Sequence, residues 1–331
     1  MTLSDSAPPA PAPSLPTRSP GDLAQSVLER VGARTPSLIV TIWGDTIAAH
    51  GASVWLGSLI RLLEGFGLND RVVRTAVYRL QKDGWLQSRQ VGRRSYYELA
   101  PAGRRRSAAA STTIYRGGAL DWDGTWLILV HNRPDRPSRS DSRDRERLRR
   151  DLVFMGFGSP APGIYLHPVA DWAEVKALLA EHSAGADMAI FRGDNHLMPD
   201  LGPLQQLVTR AWDNGDLEAG YRGFIDTFKP VMTWLKEGGP DGLSPADAFL
   251  LRTLLIHEFR RMTLRDPLLP PRLMPDDWPG PAALDLTAGL YRLLQGPATA
   301  HAMSVLESEE GTMPPPGPSY YDRYGGLDRR R

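Results

Sequence analysis

The chain has 331 residues, 41% of them hydrophobic and 23% charged, a balance ordinary for a globular protein and a length that suggests two or three domains. It contains no cysteine, which excludes disulfides, thiolate zinc sites and a cysteine nucleophile. Thirty-nine Lys and Arg face 38 Asp and Glu, a net charge of +1, so any polybasic surface must be local.

No apolar run approaches the roughly 20 residues of a membrane span, and the N-terminus lacks the pattern of a secretory signal. A cytoplasmic protein with no membrane partner is expected. Residues 1–20 are dominated by Pro, Ala and Ser and read as a disordered tail. From Asp22 the pattern turns helical, with Leu23, Val27, Leu28 and Val31 on one face and Gly32 as the stop. Two further apolar stretches follow at 37–47 and 54–63, the second ended by Gly65.

Residues 69–83 carry the strongest pattern. Asn69 is a good N-cap, with Asp70 in the first turn against the helix dipole. Val73, Ala76, Val77 and Leu80 share one face and should pack inward. Arg71, Arg74, Thr75 and Tyr78 lie on the other side, flanked by Arg79 and Lys82. After Gly84, residues 85–91 and 94–99 read as strands joined by a Gly92-Arg93 turn. Helices followed by a hairpin with a basic tip make up a winged helix-turn-helix, over 21–103. In that arrangement the second helix enters the major groove and the wing touches backbone or minor groove.

The charge is concentrated here. From Arg71 to Arg106 there are ten basic and two acidic residues, a local charge of +8, so the rest of the chain carries about −7. Such clustering suits phosphate neutralisation, and arginine can also pair bidentately with guanine. The plainer alternative is a basic helix on a winged fold used for protein contact.

Residues 104–113 read as a basic, small-residue linker. Beyond it, strand, helix, strand, helix, strand are expected at 125–132, 144–157, 163–168, 171–182 and 187–193, a small α/β or α+β sandwich over 114–198. The Pro-rich polar stretch 133–144 reads as an exposed loop. Residues 199–308 are almost wholly helical in pattern, and 309–331 read as a loose tail.

The segments SLIVTIWGD (37–45), VWLGSLIRLLEGFGLNDRVVRTAVYRLQKDGWL (54–86), VGRRSYYEL (91–99) and HEFRRMTLRDPLLPPRLMPDDWPG (257–280) together resemble the PaaX family, bacterial repressors of phenylacetate catabolism. The likeness extends less sharply through 122–130 and 156–168 and spans roughly residues 30–295. The resemblance implies an α+β multidomain fold: an N-terminal winged helix-turn-helix, a ferredoxin-like middle domain similar to a small CRISPR endoribonuclease, and a helical C-terminal domain. It further implies a homodimer on a palindromic double-stranded DNA operator, released by phenylacetyl-coenzyme A, with no catalysis and no cofactor beyond that acyl-CoA effector. Asn69, Arg71, Arg74, Thr75, Arg79, Arg93, Arg94, Ser95 and Tyr96 occupy the family's helix and wing positions.

Other constellations are weaker. His257-Glu258 resembles a zinc-protease start, but the second histidine position holds Arg261. With His257 beside them, Arg260, Arg261 and Arg265 are candidates for coenzyme A phosphates, or for a structural role such as the dimer interface. Trp212, Tyr221, Phe224, Phe228 and Trp234 are candidates for an aromatic pocket, although such stripes are more often core. Asp121, Asp123 and His131 flank the first middle-domain strand, where a metal-dependent nuclease would want carboxylates, yet the strand itself carries none. Asp194, Asn195 and His196 read as a turn. No phosphate-binding glycine loop, nucleophile elbow or metal-ligand motif is present. Repression and activation, including dual regulation, share the same DNA contacts and are not separated by sequence.

Overall fold

The computed structural model describes residues 19–51, 53–115, 122–132, 139–194, 202–212, 215–238 and 242–327. Most of the expected N-terminal tail, part of the loop 133–144, Asp121 and the Asn195–His196 pair lie outside these residues.

The first helix, α1 (Pro20–Val31), starts on a capping box between Ser19 and Asp22 and stops where Gly32 turns left-handed at φ 54°. It buries Leu23, Ala24 and Val27. The apolar stretch 37–47 divides into α2 (Thr35–Ile42) and a π-helical turn, Trp43–Ile47, that carries Asp45 into the interior. The stretch 54–63 also divides, into a short strand β1 (Val54–Trp55) and α3 (Leu56–Glu64). Next come α4 (Asp70–Lys82) and the hairpin β2 (Leu86–Val91) and β3 (Arg94–Leu99). Strand β1 joins that hairpin in a three-stranded sheet of order β1-β3-β2.

Residues 104–113, expected as a linker, lie within a helix, α5 (Pro101–Ile114). Pro101 stands in the first turn, where its missing N–H costs nothing, and the Ala-rich run favours helix. Gly103 permits the helix to approach β2, because a Cβ there would lie 2.2 Å from the Trp85 carbonyl oxygen.

The middle region holds β4 (Thr125–His131), α6 (Arg139–Phe154), β5 (Gly158–Ala161), β6 (Ile164–His167), α7 (Trp172–Glu181) and β7 (Met188–Asp194). Its four strands form an antiparallel sheet of order β5-β6-β4-β7. Two departures from the expected pattern stand out. From Arg139 the expected loop is already α6. Strand β5, with sequence GSPA, has no β-branched or alternating signature, and a Cβ on Gly158 would meet the Trp212 ring at 2.4 Å.

Four further helices follow, α8 (Gly202–Ala211), α9 (Gly215–Gly238), α10 (Pro245–Thr263) and α11 (Gly280–Val305). Helix α10 is buried on nearly every side and packs against α1, α2, α5, α9 and α11. The N-terminal and C-terminal regions therefore share one hydrophobic core, which runs from Leu23 to Leu327.

The expected loose tail is largely built into that core. A short hairpin, β8 (Glu307–Ser308) and β9 (Gly311–Thr312), leads to α12 (Pro318–Tyr321), and Met313, Tyr320, Tyr324 and Leu327 are buried. The Gly317 N–H donates to the Ala49 carbonyl at 2.8 Å and the Tyr324 N–H to the Tyr115 carbonyl at 2.8 Å. The prolines suggest looseness, but the tyrosines between them bury enough apolar surface to anchor the segment.

At its inner end Arg323 meets Asp45 at 3.1 Å, and Arg252 of α10 meets the other oxygen of the same carboxylate at 3.2 Å. The Tyr115 and Tyr291 hydroxyls donate to Asp45 Oδ1 at 2.7 and 2.9 Å. Burial alone would raise the Asp45 pKa, but the two guanidiniums and two hydroxyl donors outweigh it and hold the group below its ordinary value. Burial keeps Tyr115 and Tyr291 well above their ordinary value, so both remain neutral donors. One carboxylate thus ties together the π turn, α10, α11 and the C-terminal segment.

Candidate nucleic-acid interface

Helix α4 forms as its pattern dictates. Asn69 Oδ1 accepts the Val72 N–H at 3.0 Å, and Val73, Ala76, Val77 and Leu80 are buried. The outer face presents Arg71, Arg74, Thr75, Tyr78, Arg79 and Lys82 to solvent. Tyr78 is 56% exposed, with the Lys82 ammonium 5.1 Å from its ring centre. Arg74 pairs with Asp70 one turn back, whereas Arg71 and Arg79 pair with no carboxylate among the described residues. The Thr75 hydroxyl donates to the Arg71 carbonyl at 2.8 Å, leaving its oxygen free to accept.

The hairpin keeps the expected register. Val91 faces Arg94 across a two-residue turn in which Gly92 has φ 59°. Arg93 projects at the tip without an ion-pair partner among the described residues, and Ser95 is half-buried. Tyr96 is not available as a surface contact: it is only 5% exposed and faces inward beside β1. Arg94 and Tyr96 share a face of β3, but Tyr96 lies opposite Trp55 of β1, which covers it, whereas Arg94 lies past the last residue that β1 pairs. Tyr96→Ala should therefore lower unfolding stability by about 3 kcal/mol through the cavity it leaves. Urea denaturation checks this, and loss of DNA affinity at unchanged stability would contradict it.

Arg94 is held rather than free. Its guanidinium lies 4.2 Å from the Trp55 ring centre and 2.8 Å from Glu307 Oε2. Glu307 also accepts from Arg61 at 2.6 Å, and Glu309 pairs with Arg89 of β2. The Glu307 N–H donates to Ser58 Oγ at 3.1 Å, which fixes the β8–β9 hairpin beside β1. Trp55, Arg61 and Arg89 were not among the sequence candidates. The signal was present in the acidic LESEEGT run at 306–312, whose charge complements the arginine hairpin.

The residues proposed from sequence for a ligand do not converge. Trp212 is buried against the middle sheet, its Nε1–H donating to the Gly156 carbonyl at 2.9 Å. Tyr221 and Phe224 are buried in the main core, where Tyr221 donates to Asp266 at 2.7 Å and Phe224 packs on Phe228 and Phe259. Trp234 packs half-buried against that same core. These aromatics pack like ordinary helical core residues. His257 lies within α10, bonded to Thr41 Oγ1 at 3.0 Å. Burial, then the charges of Arg260 and Arg261, push its pKa down to about 3, so it is neutral. Arg260 donates to Ser37 on α2, Arg261 pairs with Glu258 at 2.9 Å, and Arg265 is exposed. Arg260 and Arg261 are adjacent, about 100° apart around the helix, and turn to Ser37 and Glu258, while Arg265 lies past the end of α10, so with the neutral His257 they do not form one phosphate cradle.

Among the described residues, no group of three or more His, Asp or Glu side chains is placed to hold a metal ion. Asp123 accepts from the Thr125 N–H and hydroxyl before β4. No helix among the described residues is long and apolar enough to cross a membrane.

Three family models match in chain order: PaaX-like protein over 34–103, PaaX protein central Cas2-like domain over 119–206, and PaaX-like protein C-terminal domain over 212–304. The chain is 36% identical over 304 residues to the transcriptional repressor PaaX of Escherichia coli (strain K12), covering 92% of this chain and 94% of that protein. Its fold is similar to that of the uncharacterized protein Rv0674 from Mycobacterium tuberculosis, with a TM-score of 0.51 at 22% identity, covering 81% of this chain and 96% of that one.

Proposed function

The chain belongs to the PaaX family, and from that premise we propose that it is a non-enzymatic transcriptional repressor of phenylacetate catabolism that binds operator DNA. Residues 21–103 act as a winged helix-turn-helix, with α4 as the recognition helix and the β2–β3 hairpin as the wing. The middle region is read as ferredoxin-like, a reading supported by its β-α-β-β-α-β connectivity and its strand order. The observation that carries the DNA reading is the solvent-facing side of α4, where Arg71 and Arg79 pair with no carboxylate among the described residues, beside an exposed Tyr78.

In this account a homodimer presents two copies of α4 to successive major grooves about 34 Å apart. The effector is an aryl-acyl-CoA such as phenylacetyl-coenzyme A, which favours a geometry that no longer fits the half-sites. A differential of about 3 kcal/mol between the two geometries changes operator affinity by roughly a hundredfold. The protein acts in the cytoplasm, where DNA and acyl-CoA meet.

A reporter driven by the promoter of the regulated genes tests this. Expression should fall when the protein is present and recover when phenylacetyl-coenzyme A accumulates. In purified form, phenylacetyl-coenzyme A should release the duplex, while phenylacetate and coenzyme A each fail to do so. A rise in expression on adding the protein would make it an activator.

The acidic β8–β9 hairpin bears on the wing. Glu307 and Glu309 occupy arginines that would otherwise meet phosphates, and each exposed pair contributes about 0.2–1 kcal/mol. The double variant Glu307→Gln with Glu309→Gln should therefore bind duplex DNA about two- to tenfold more tightly, with a steeper salt dependence. Fluorescence anisotropy across a salt series reads both, and weaker binding would show that the hairpin supports the wing instead.

A further inference from the structure

The DNA reading gives no role to Arg260 of the HEFRR segment. Its guanidinium lies between α10 and α2 and donates to the Ser37 hydroxyl at 2.7 Å and the Ser37 carbonyl at 3.1 Å. No carboxylate pairs with it among the described residues, and its Nε is buried with no acceptor. A largely buried cation without a counter-charge is costly to keep. Burial, followed by the neighbouring Arg261 charge, accordingly lowers its pKa.

Beside it opens a cavity of about 670 Å³, bounded by α2, α5 and α10. Val40, Ile114 and Ile256 supply apolar walls, and Arg105 and Arg106 stand at its exposed side. The one carboxylate in its lining, Asp45, is already held by Arg252 and Arg323. The volume falls within the range of small-molecule sites, and three guanidiniums over apolar walls complement an anion attached to a hydrophobic body.

We propose that this cavity binds a small organic anion with an apolar body, its charged group pairing with Arg260 and its body lying between α5 and α10. The anion would supply the acceptor that Arg260 Nε lacks. Its occupancy bears directly on DNA binding, because α2, which forms one wall, also packs against α4. The consequence for DNA rests on the repressor reading, whereas the binding itself does not. A free aryl carboxylate offers its charge to Arg260 directly, whereas an aryl-acyl-CoA thioester, uncharged at its acyl end, would offer Arg260 a phosphate or its thioester carbonyl and the remaining phosphates to Arg105 and Arg106.

Calorimetry on the full-length protein tests the site with phenylacetate, its uncharged amide and phenylacetyl-coenzyme A. Saturable binding of at least one anion is expected, with the amide at least tenfold weaker than phenylacetate if the free acid is the one bound. Arg260→Gln should weaken anion binding at least tenfold, and Arg260→Lys should restore most of it. Ala109→Trp, which fills the cavity from the exposed side of α5 without removing charge, should block binding while duplex affinity persists. The Ala109 variant also decides the matter if Arg260→Gln fails to fold. Absence of any saturable anion binding, equal binding by Arg260→Gln, or unaltered binding by Ala109→Trp would each overturn the site. Binding with the expected variant pattern in a protein that ignores duplex DNA would leave the site standing and refute the repressor reading.

Discussion

Asp45→Asn should cost about 3–5 kcal/mol of unfolding free energy, the largest single-residue effect expected in this protein. The carboxylate is 1% exposed and is the shared counter-charge of Arg252 and Arg323, which are themselves buried. An amide keeps the shape but leaves two guanidiniums in the interior with no compensating anion. Tyr115, Tyr291 and Arg323 all donate to Oδ1 while the Arg252 guanidinium faces Oδ2 at 3.2 Å, so an amide N–H₂ at either position would meet a donor or a cation. The loss should spread along the chain, because the cluster joins the π turn, α10, α11 and the C-terminal segment.

The same carboxylate sets an acid limit. Its pKa is lowered in the folded protein, so its contribution to stability is fully present above the unfolded value near 3.9. That contribution is lost as pH falls through the lower folded value. Urea titrations from pH 7 downward should show the wild-type advantage over Asp45→Asn shrinking only in that acidic window. An advantage that shrank toward alkaline pH, or a variant as stable as wild type at pH 7, would contradict the buried triad.

The second large effect concerns DNA. The triple variant Arg71→Ala, Arg74→Ala, Arg79→Ala should lose at least a hundredfold in operator affinity, at about 1–3 kcal/mol for each arginine that reads a base and less for each that meets only phosphate. All three side chains are exposed on the face opposite Val73, Ala76, Val77 and Leu80, so their removal leaves the packing of α4 intact. Thermal unfolding within a degree or two of wild type should accompany the loss. The slope of log affinity against log salt should also fall, by nearly one for each phosphate contact removed. Unchanged affinity, or a loss matched by unfolding, would count against the assignment.

The sequence was most legible where local rules and tertiary fold agree. Helix α4 has a capping asparagine and an apolar stripe at helical spacing, and the β2–β3 hairpin has alternation and a Gly-containing turn, so both form where expected. The strands and helices of the middle region were readable for similar reasons, except β5, whose GSPA sequence pairs only because β6 offers it an edge. Long-range closure was not readable. Arg323 finds its carboxylate 278 residues away, and neither a Pro-rich neighbourhood nor a short tyrosine cluster announces such a partner. Helix α5 was hidden by Pro101 and Gly103, which usually interrupt helices but here serve a first turn and a close approach to Trp85.

Within the candidate site, the exposed residues of α4 followed from periodicity, but Tyr96 did not, because its inward turn depends on pairing with β1. The aromatic residues offered for a ligand pocket proved to be core, and Arg260 proved to face α2. Sequence spacing marks which residues share an element but not which neighbouring element they meet.

Site-directed photocrosslinking distinguishes DNA bound at α4 from DNA bound elsewhere on the molecule. A benzophenone amino acid placed at Tyr78, in the middle of the exposed face of α4, should crosslink to a duplex that the wild-type protein selects from a random-sequence pool. The same group at Trp172, 47% exposed in the middle region, should crosslink far less. Strong duplex crosslinking from position 172 with none from position 78 would show that DNA meets another surface of the molecule.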